Sequence, residues 1–224
     1  MRNLVIVLSI LITGAITAQN TISKTVGEFS ELKVYDLINV ELIKSKENKV
    51  EISGKNASEV EIINKKGTLK IRLNLEESFD GNKTDVKLFY SAVDIIDVNE
   101  GANISSEENI EQFELELKAQ EGGLIKLKIN TKHTTVKAIS GGVIEIAGTT
   151  NHQKISIGAG GIFKGEDFKS ESTDVSIKAG GEAHVNTIEV LDIKIRAGGD
   201  VYIYGDPKKV NESKALGGRI KRMN

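Results

Sequence analysis

Asp174 and Asp192 lie in two nearly identical segments, DVSIKAGGEAHV (174–185) and DIKIRAGGDVYI (192–203). If the two segments are copies of one structural unit, their carboxylates stack on neighbouring strands ~5 Å apart. That is close to the separation at which a retaining glycosidase pairs a nucleophile with a general acid. The same place one unit earlier holds Lys154, and Lys178 and Arg196 form the adjacent outward column. A ladder of opposite charges on a solvated face accounts for the same pattern with less chemistry.

The other reactive side chains are sparser. His133 and His152 are 19 residues apart and can stack on adjacent units, while His184 sits elsewhere in its unit. Two imidazoles without a third ligand at a matching position do not make a metal site. DGNKTD (80–85) offers oxygen ligands and a glycine, but it lacks the spacing and terminal Glu of a calcium loop. It reads as a loop. No Gly-x-Ser-x-Gly follows a strand and opens a helix. Cysteine is absent, which removes a thiol nucleophile, a thiolate metal site, a disulfide framework and a lipoprotein anchor. Tyr202 and Tyr204 alternate on one strand, so both rings point to one outer face, where they can meet a sugar or a protein. The expectation is therefore no catalytic residue, no metal and no cofactor, with Tyr202 and Tyr204 as the candidate contact.

The Ala-Gly-Gly at the centre of both segments could cradle a phosphate, but such a loop occurs once and opens a helix. Here glycines recur at Gly101, Gly122, Gly141, Gly160, Gly180, Gly198 and Gly217, in steps of 21, 19, 19, 20, 18 and 19. From Gly122 onward each is followed by a second glycine. Five residues before the first glycine stand Ile96, Leu117, Val136, Ile155, Val175 and Ile193. Three before stand Val98, Ala119, Ala138, Ile157, Ile177 and Ile195, and three after stand Ile104, Ile125, Ile144, Phe163, Ala183, Val201 and Ile220. The residues between are mostly polar, so each unit has a strand before the glycines and another after. The glycines are structural turn residues that supply positive φ or close approach at a corner.

A unit of about 19 residues is too short for a propeller blade and fits one coil of a solenoid. The elements that must position any site are thus coils of an all-β, right-handed parallel β-helix (β-solenoid), whose equivalent residues form ladders. Ile110, Ile129, Phe168 and Ile188 recur more loosely and suggest a third side to each coil. In the last unit Lys214 falls where a core apolar residue belongs, which reads as a charged cap.

The first 18 residues have a cationic start, an apolar run and small residues up to Ala18, the pattern of a secretory signal peptide. Residues 19–92 carry alternating but less regular β segments, and 93–224 hold the Gly-Gly repeats. The polar stretch 74–85 is a loop that would separate two β subdomains. Lys and Arg number 30 against 32 acids, with no basic block, which gives no reason to expect nucleic acid. After the leader no apolar run is long enough to span a membrane.

With the repeats in view, FSELKVYDLINVELIKSKENKVEISG (29–54), GTLKIRL (67–73) and the Gly-centred units resemble the head GIN domain family, suspected auto-transporter adhesins of secreted bacterial proteins. The family's Gly-Ile-Asn tripeptide is not present; GANI (101–104) is the nearest approach. The resemblance implies a pectin-lyase-like β-helix and a cell-adhesion role, and brings no catalytic residues. The resulting expectation is an exported, non-enzymatic surface or periplasmic protein that binds a glycan or protein partner through an extended β-helical face. The alternative is a carbohydrate-active, pectin-lyase-like enzyme on the same scaffold.

Overall fold

The computed structural model describes residues 21–74, 76 and 79–223, and the leader read at 1–18 lies outside them. The N-terminal part contributes β1 (Ile22–Thr25), β2 (Glu31–Val34), β3 (Asn39–Lys44), β4 (Lys49–Gly54), β5 (Val60–Lys65), β6 (Thr68–Leu73) and β7 (Thr84–Tyr90). Next come β8 (Ile95–Val98), β9 (Asn103–Glu111) and β10 (Glu114–Ala119). Four strands of 16 residues follow: β11 (Leu124–Ile139), β12 (Val143–Gly158), β13 (Ile162–Ile177) and β14 (Glu182–Ala197). The chain closes with β15 (Asp200–Tyr204), β16 (Lys209–Leu216) and β17 (Arg219–Arg222). The protein is a β-solenoid of about 7 turns.

The ladders follow the period of the sequence. Leu117 pairs with Val136, Val136 with Ile155, Ile155 with Val175, and Val175 with Ile193, all in parallel register. Every member is buried, as are Ile157, Ile177 and Ile195 in the next inward column. Alternation dictates this arrangement: an apolar residue at every second position turns one face of each coil into the bore. Size is matched along a column as well. Phe168 stacks on Gly148, and Phe163 on Ala183, so each bulky ring sits over a small neighbour.

Alternation resets at two corners of each coil. One is the glycine corner. The other places two inward residues on either side of an outward pair, and here the bore is polar. The Thr131 and Thr134 hydroxyls lie 2.6 Å apart, and Thr131 donates to Thr150 at 3.0 Å. Further along, Gln153 Nε2 donates to Ser170 and Thr173, and Thr173 meets Thr187 at 2.7 Å. Sequence alternation gave no sign of this hydroxyl column, because Thr and Ser inside a β pattern read as outward residues. A weaker irregularity marks a third bend, where register shifts between Lys126 and Lys128, Glu145 and Gly148, and Gly165 and Lys169. Ile110, Ile129 and Phe168 are buried beside it, but Ile188 is 46% exposed. Thr187 pairs with Ser170 and turns inward, and a second register shift, in which Ser170–Ser172 faces Thr187–Val190, leaves Ile188 outside on a bulge of β14.

The N-terminal part belongs to the same stack, in an order that differs from chain order. β2 pairs with both β6 and β8, and β3 pairs with both β7 and β9, all parallel. The coil formed by β2 and β3 is therefore sandwiched between the β6–β7 coil and the β8–β9 coil. β6 and β7, which flank residues 74–83 in the sequence, both join this one stack. Its outer end is covered by antiparallel strands: β5 on β6, β4 on β7, and β1 on β4. At the opposite end β16 pairs with β14 and β17 with β15. There Glu212 sits over Ile193, Lys214 over Ile195 and Arg222 over Ile203, so charges close the apolar column.

Candidate binding surface

The outward residues form ladders of their own, and the long strands hold them in register. On one column Lys154, Asp174, Asp192 and Asn211 follow one another, and Asn211 Nδ2 donates to Asp192 at 2.7 Å. Lys126, Glu145 and Lys164 form another, in which Lys126 approaches Glu145 to 2.7 Å and Lys164 approaches it to 3.8 Å. Lys126 donates a hydrogen bond to Glu145 and holds that carboxyl below its usual range; the same contact raises the lysine. Most of the face is thus a lattice of cross-coil polar pairs.

The fold brings Asp174 and Asp192 together as direct register partners. Both line an open trough of about 670 Å³, together with Ser156, Ser176, Lys154, Lys178 and Lys194. His152 Nε2 lies 3.5 Å from Asp174, and its Nδ1 is 2.8 Å from Ser172 Oγ. A serine, a histidine and an aspartate in sequence of contact can activate a nucleophile, but only where oxyanion donors and a substrate cleft converge on the serine. Ser172 and His152 are register neighbours, bonded like the other ladder pairs, and neither lines the trough. Spacing at 19–20 residues places Ser172 in the column of His133 and His152, but the contact itself depends on side-chain rotamers that spacing does not report.

His133 and His152 do stack on adjacent coils, with ring centroids 6.3 Å apart, and Phe113 packs edge-on against His133 at 5.3 Å. Among the described residues no three His, Cys, Asp or Glu side chains come together as a metal site. Asp80 is tied to Asn56 Nδ2 and Lys55 Nζ, each at 3.0 Å, and the Asn56 and Lys55 bonds hold its carboxyl low.

Tyr202 and Tyr204 lie on β15 beside His184 of β14. The His184 ring stacks on Tyr202 at 4.5 Å and on Tyr204 at 5.9 Å. From the next strand Lys221 Nζ lies over the Tyr202 ring at 5.4 Å. Both flat faces of Tyr202 are therefore engaged within the protein, and it is the ring edges that meet solvent. In the neighbouring column Arg219 donates to Asp200 through Nε at 2.8 Å and through a second guanidinium nitrogen. That pair holds the Asp200 carboxyl below its ordinary range, with Lys221 adding to the effect.

The turn glycines play two separable roles. Gly180 and Gly198 both have φ of 65°, and a Cβ on either would meet nothing within 4 Å. Gly142 is the converse case: a Cβ there would lie 2.1 Å from the Ala119 carbonyl oxygen of the coil below.

A stack of parallel coils with a polar laddered exterior and a covered N-terminal end defines a capped β-solenoid. Residues 28–207 match the family described as "Putative auto-transporter adhesin, head GIN domain", and the chain belongs to that family. Solved structures share the fold. A putative adhesin from Bacteroides fragilis aligns with a TM-score of 0.84 at 16% identity, covering 92% of this chain and 98% of that one. A putative adhesin from Parabacteroides distasonis aligns at 0.73 with 16% identity, covering 91% and 96%. A putative lipid binding protein from the same species aligns at 0.67 with 19% identity, covering 92% and 96%. No curated protein sequence matches the chain. Among the described residues no helix is long and apolar enough to cross a membrane.

Proposed function

We propose that the protein is an exported, non-enzymatic adhesin whose lateral β face binds a glycan or a protein partner at the cell surface. The observation that carries this reading is the parallel pairing of β11 through β14, in register on either side of each bulge, which lays the outward side chains out as a two-dimensional array. Such a surface suits an extended ligand held by many shallow contacts, since repetition supplies avidity without a deep pocket. Membership of an adhesin family supports it further. Tyr202 and Tyr204 are the proposed local contact, presenting ring edges, with the Tyr202 hydroxyl turned to Asp200 and the Tyr204 hydroxyl to His184. The test is a glycan and surface-protein binding screen with the purified protein. Changing Tyr202 and Tyr204 together to Ala should weaken attachment several-fold while the melting temperature changes little. Unchanged attachment would remove the tyrosines from the interface.

One observation favours the enzyme reading, namely the adjacency of Asp174 and Asp192 in the trough. Release of reducing or unsaturated sugars from polysaccharides, abolished by Asp174→Asn with Asp192→Asn, would establish it. We expect no release, and binding unaffected by the double change.

A further inference from the structure

The charge of the solenoid is not spread evenly along its axis. From Gly205 to the last residue there are six Lys and Arg against two acids, whereas the whole chain carries 30 against 32. These residues build β16 and β17, which are the outermost strands of the stack at this end among the described residues. Some of the charge is spent locally: Lys208 pairs with Glu189, Arg219 with Asp200, and Arg222 lies 3.9 Å from Asp206. Lys209, Lys214 and Lys221 have no carboxylate within ion-pair distance among the described residues. Lys214 occupies an inward column at the mouth of the bore, and Lys221 is held over the Tyr202 ring. The same end carries two exposed apolar side chains, Leu216 at 75% and Met223 at 47% exposure.

We propose that this end seats on a lipid bilayer containing anionic phospholipid. The combination selects the occupant. Unpaired lysines are attracted to lipid phosphates over roughly a Debye length. Leucine and methionine gain by entering the interfacial layer, as on the apolar side of a membrane-surface element. A second copy docked end to end about a two-fold axis would set the unpaired cations of one protomer against those of the other. A soluble polyanion would satisfy the lysines but leave Leu216 and Met223 in water. Docked this way, the solenoid stands end-on, and the lateral ladders of β11 through β14 stay free for whatever partner they take.

The test uses the full chain as exported, co-sedimented with vesicles of equal parts phosphatidylglycerol and phosphatidylcholine, and with vesicles of phosphatidylcholine alone. Partition into the anionic vesicles should be stronger by roughly a hundredfold, since each of three cations near an anionic surface contributes about a factor of five. It should fall as salt is raised. Lys209→Glu, Lys214→Glu and Lys221→Glu together should return partition to the neutral-vesicle level. Leu216→Ser with Met223→Ser should weaken it several-fold. Thermal melts monitor the fold, and Lys→Gln at the same three positions decides the matter if charge reversal lowers the melting temperature. Equal partition into both kinds of vesicle overturns the proposal, as does binding that ignores the lysine changes or the apolar changes. So does light scattering that shows dimers lost with the same substitutions and no vesicle binding.

Discussion

Gly142 and Gly180 occupy equivalent corners for different reasons, and substitution separates them. At Gly180 the space is open and only the left-handed backbone resists a side chain, so Gly180→Ala should cost roughly 1–2 kcal/mol. At Gly142 the neighbouring coil's carbonyl stands where Cβ would go, and the backbone must shift, so Gly142→Ala adds an overpacking cost of about 1–3 kcal/mol. Urea denaturation of the two variants should rank Gly142→Ala as the less stable; the reverse order would refute the close-approach role. Asp200 gives a pH signature. Its folded pKa lies below the unfolded one because Arg219 donates to it. The stabilisation is therefore present above the unfolded carboxylate range and is lost as pH falls through the lower folded value. Wild type should lose melting temperature more steeply than Asp200→Asn between about pH 5 and 2. Parallel curves would mean that the pair contributes nothing to acid stability.

Among the elements, the hydroxyl corner offers the sharpest test. Thr173 bonds Gln153, Ser170 and Thr187 inside the coil. Thr173→Val keeps the shape and removes those bonds, leaving buried partners short, at a cost of about 1–3 kcal/mol. Equal midpoints in chemical denaturation would show the column to be dispensable. This corner also marks the limit of what the sequence revealed. The apolar columns through Ile155, Val175 and Ile193 were readable because two periods, 2 and about 19, coincide on the same residues. Thr131, Thr150, Ser170 and Thr187 were not, because a threonine written into a strand looks the same whether its hydroxyl meets water or another threonine. Ile188 misled for a related reason: between Thr187 and Val190 β14 carries one more residue than the matching stretch of β13, and alternation alone does not show where a strand bulges. The adjacency of Asp174 and Asp192 was readable because both sit at one place in the repeat. The contact of His152 with Ser172 and Asp174 depends on rotamers and was not.

For the molecule as a whole, the pairing of β2 and β3 with β8 and β9 was beyond reach of the sequence. Apolar alternation says which face of a strand turns inward but not which strand lies beside it, and Lys33 meets Asp97 across 64 residues. The ends of the rod differ in the same way. At one end β4 and β5 consume the free backbone edges; at the other, Glu212, Lys214 and Arg222 point charge into the bore column. Inward charge on an edge is a device against strand addition. Replacing Glu212 by Val with Lys214 by Ile should therefore produce end-to-end association, visible as a rise in scattering mass with concentration. A variant that stayed monomeric would show that these charges do not guard the edge.

The interleaved N-terminal coils also decide how the rod would yield under tension. From β10 to β17 each coil rests on the one before it, so a pull on the C-terminal strand detaches coils one at a time. Each release would lengthen the tether by about 65 Å, the span of 19 extended residues. That regular sawtooth should end at β8–β9. Beyond it, β2–β3 is held on both flanks by segments distant in sequence, and the remainder must give way together at a higher force in an optical trap.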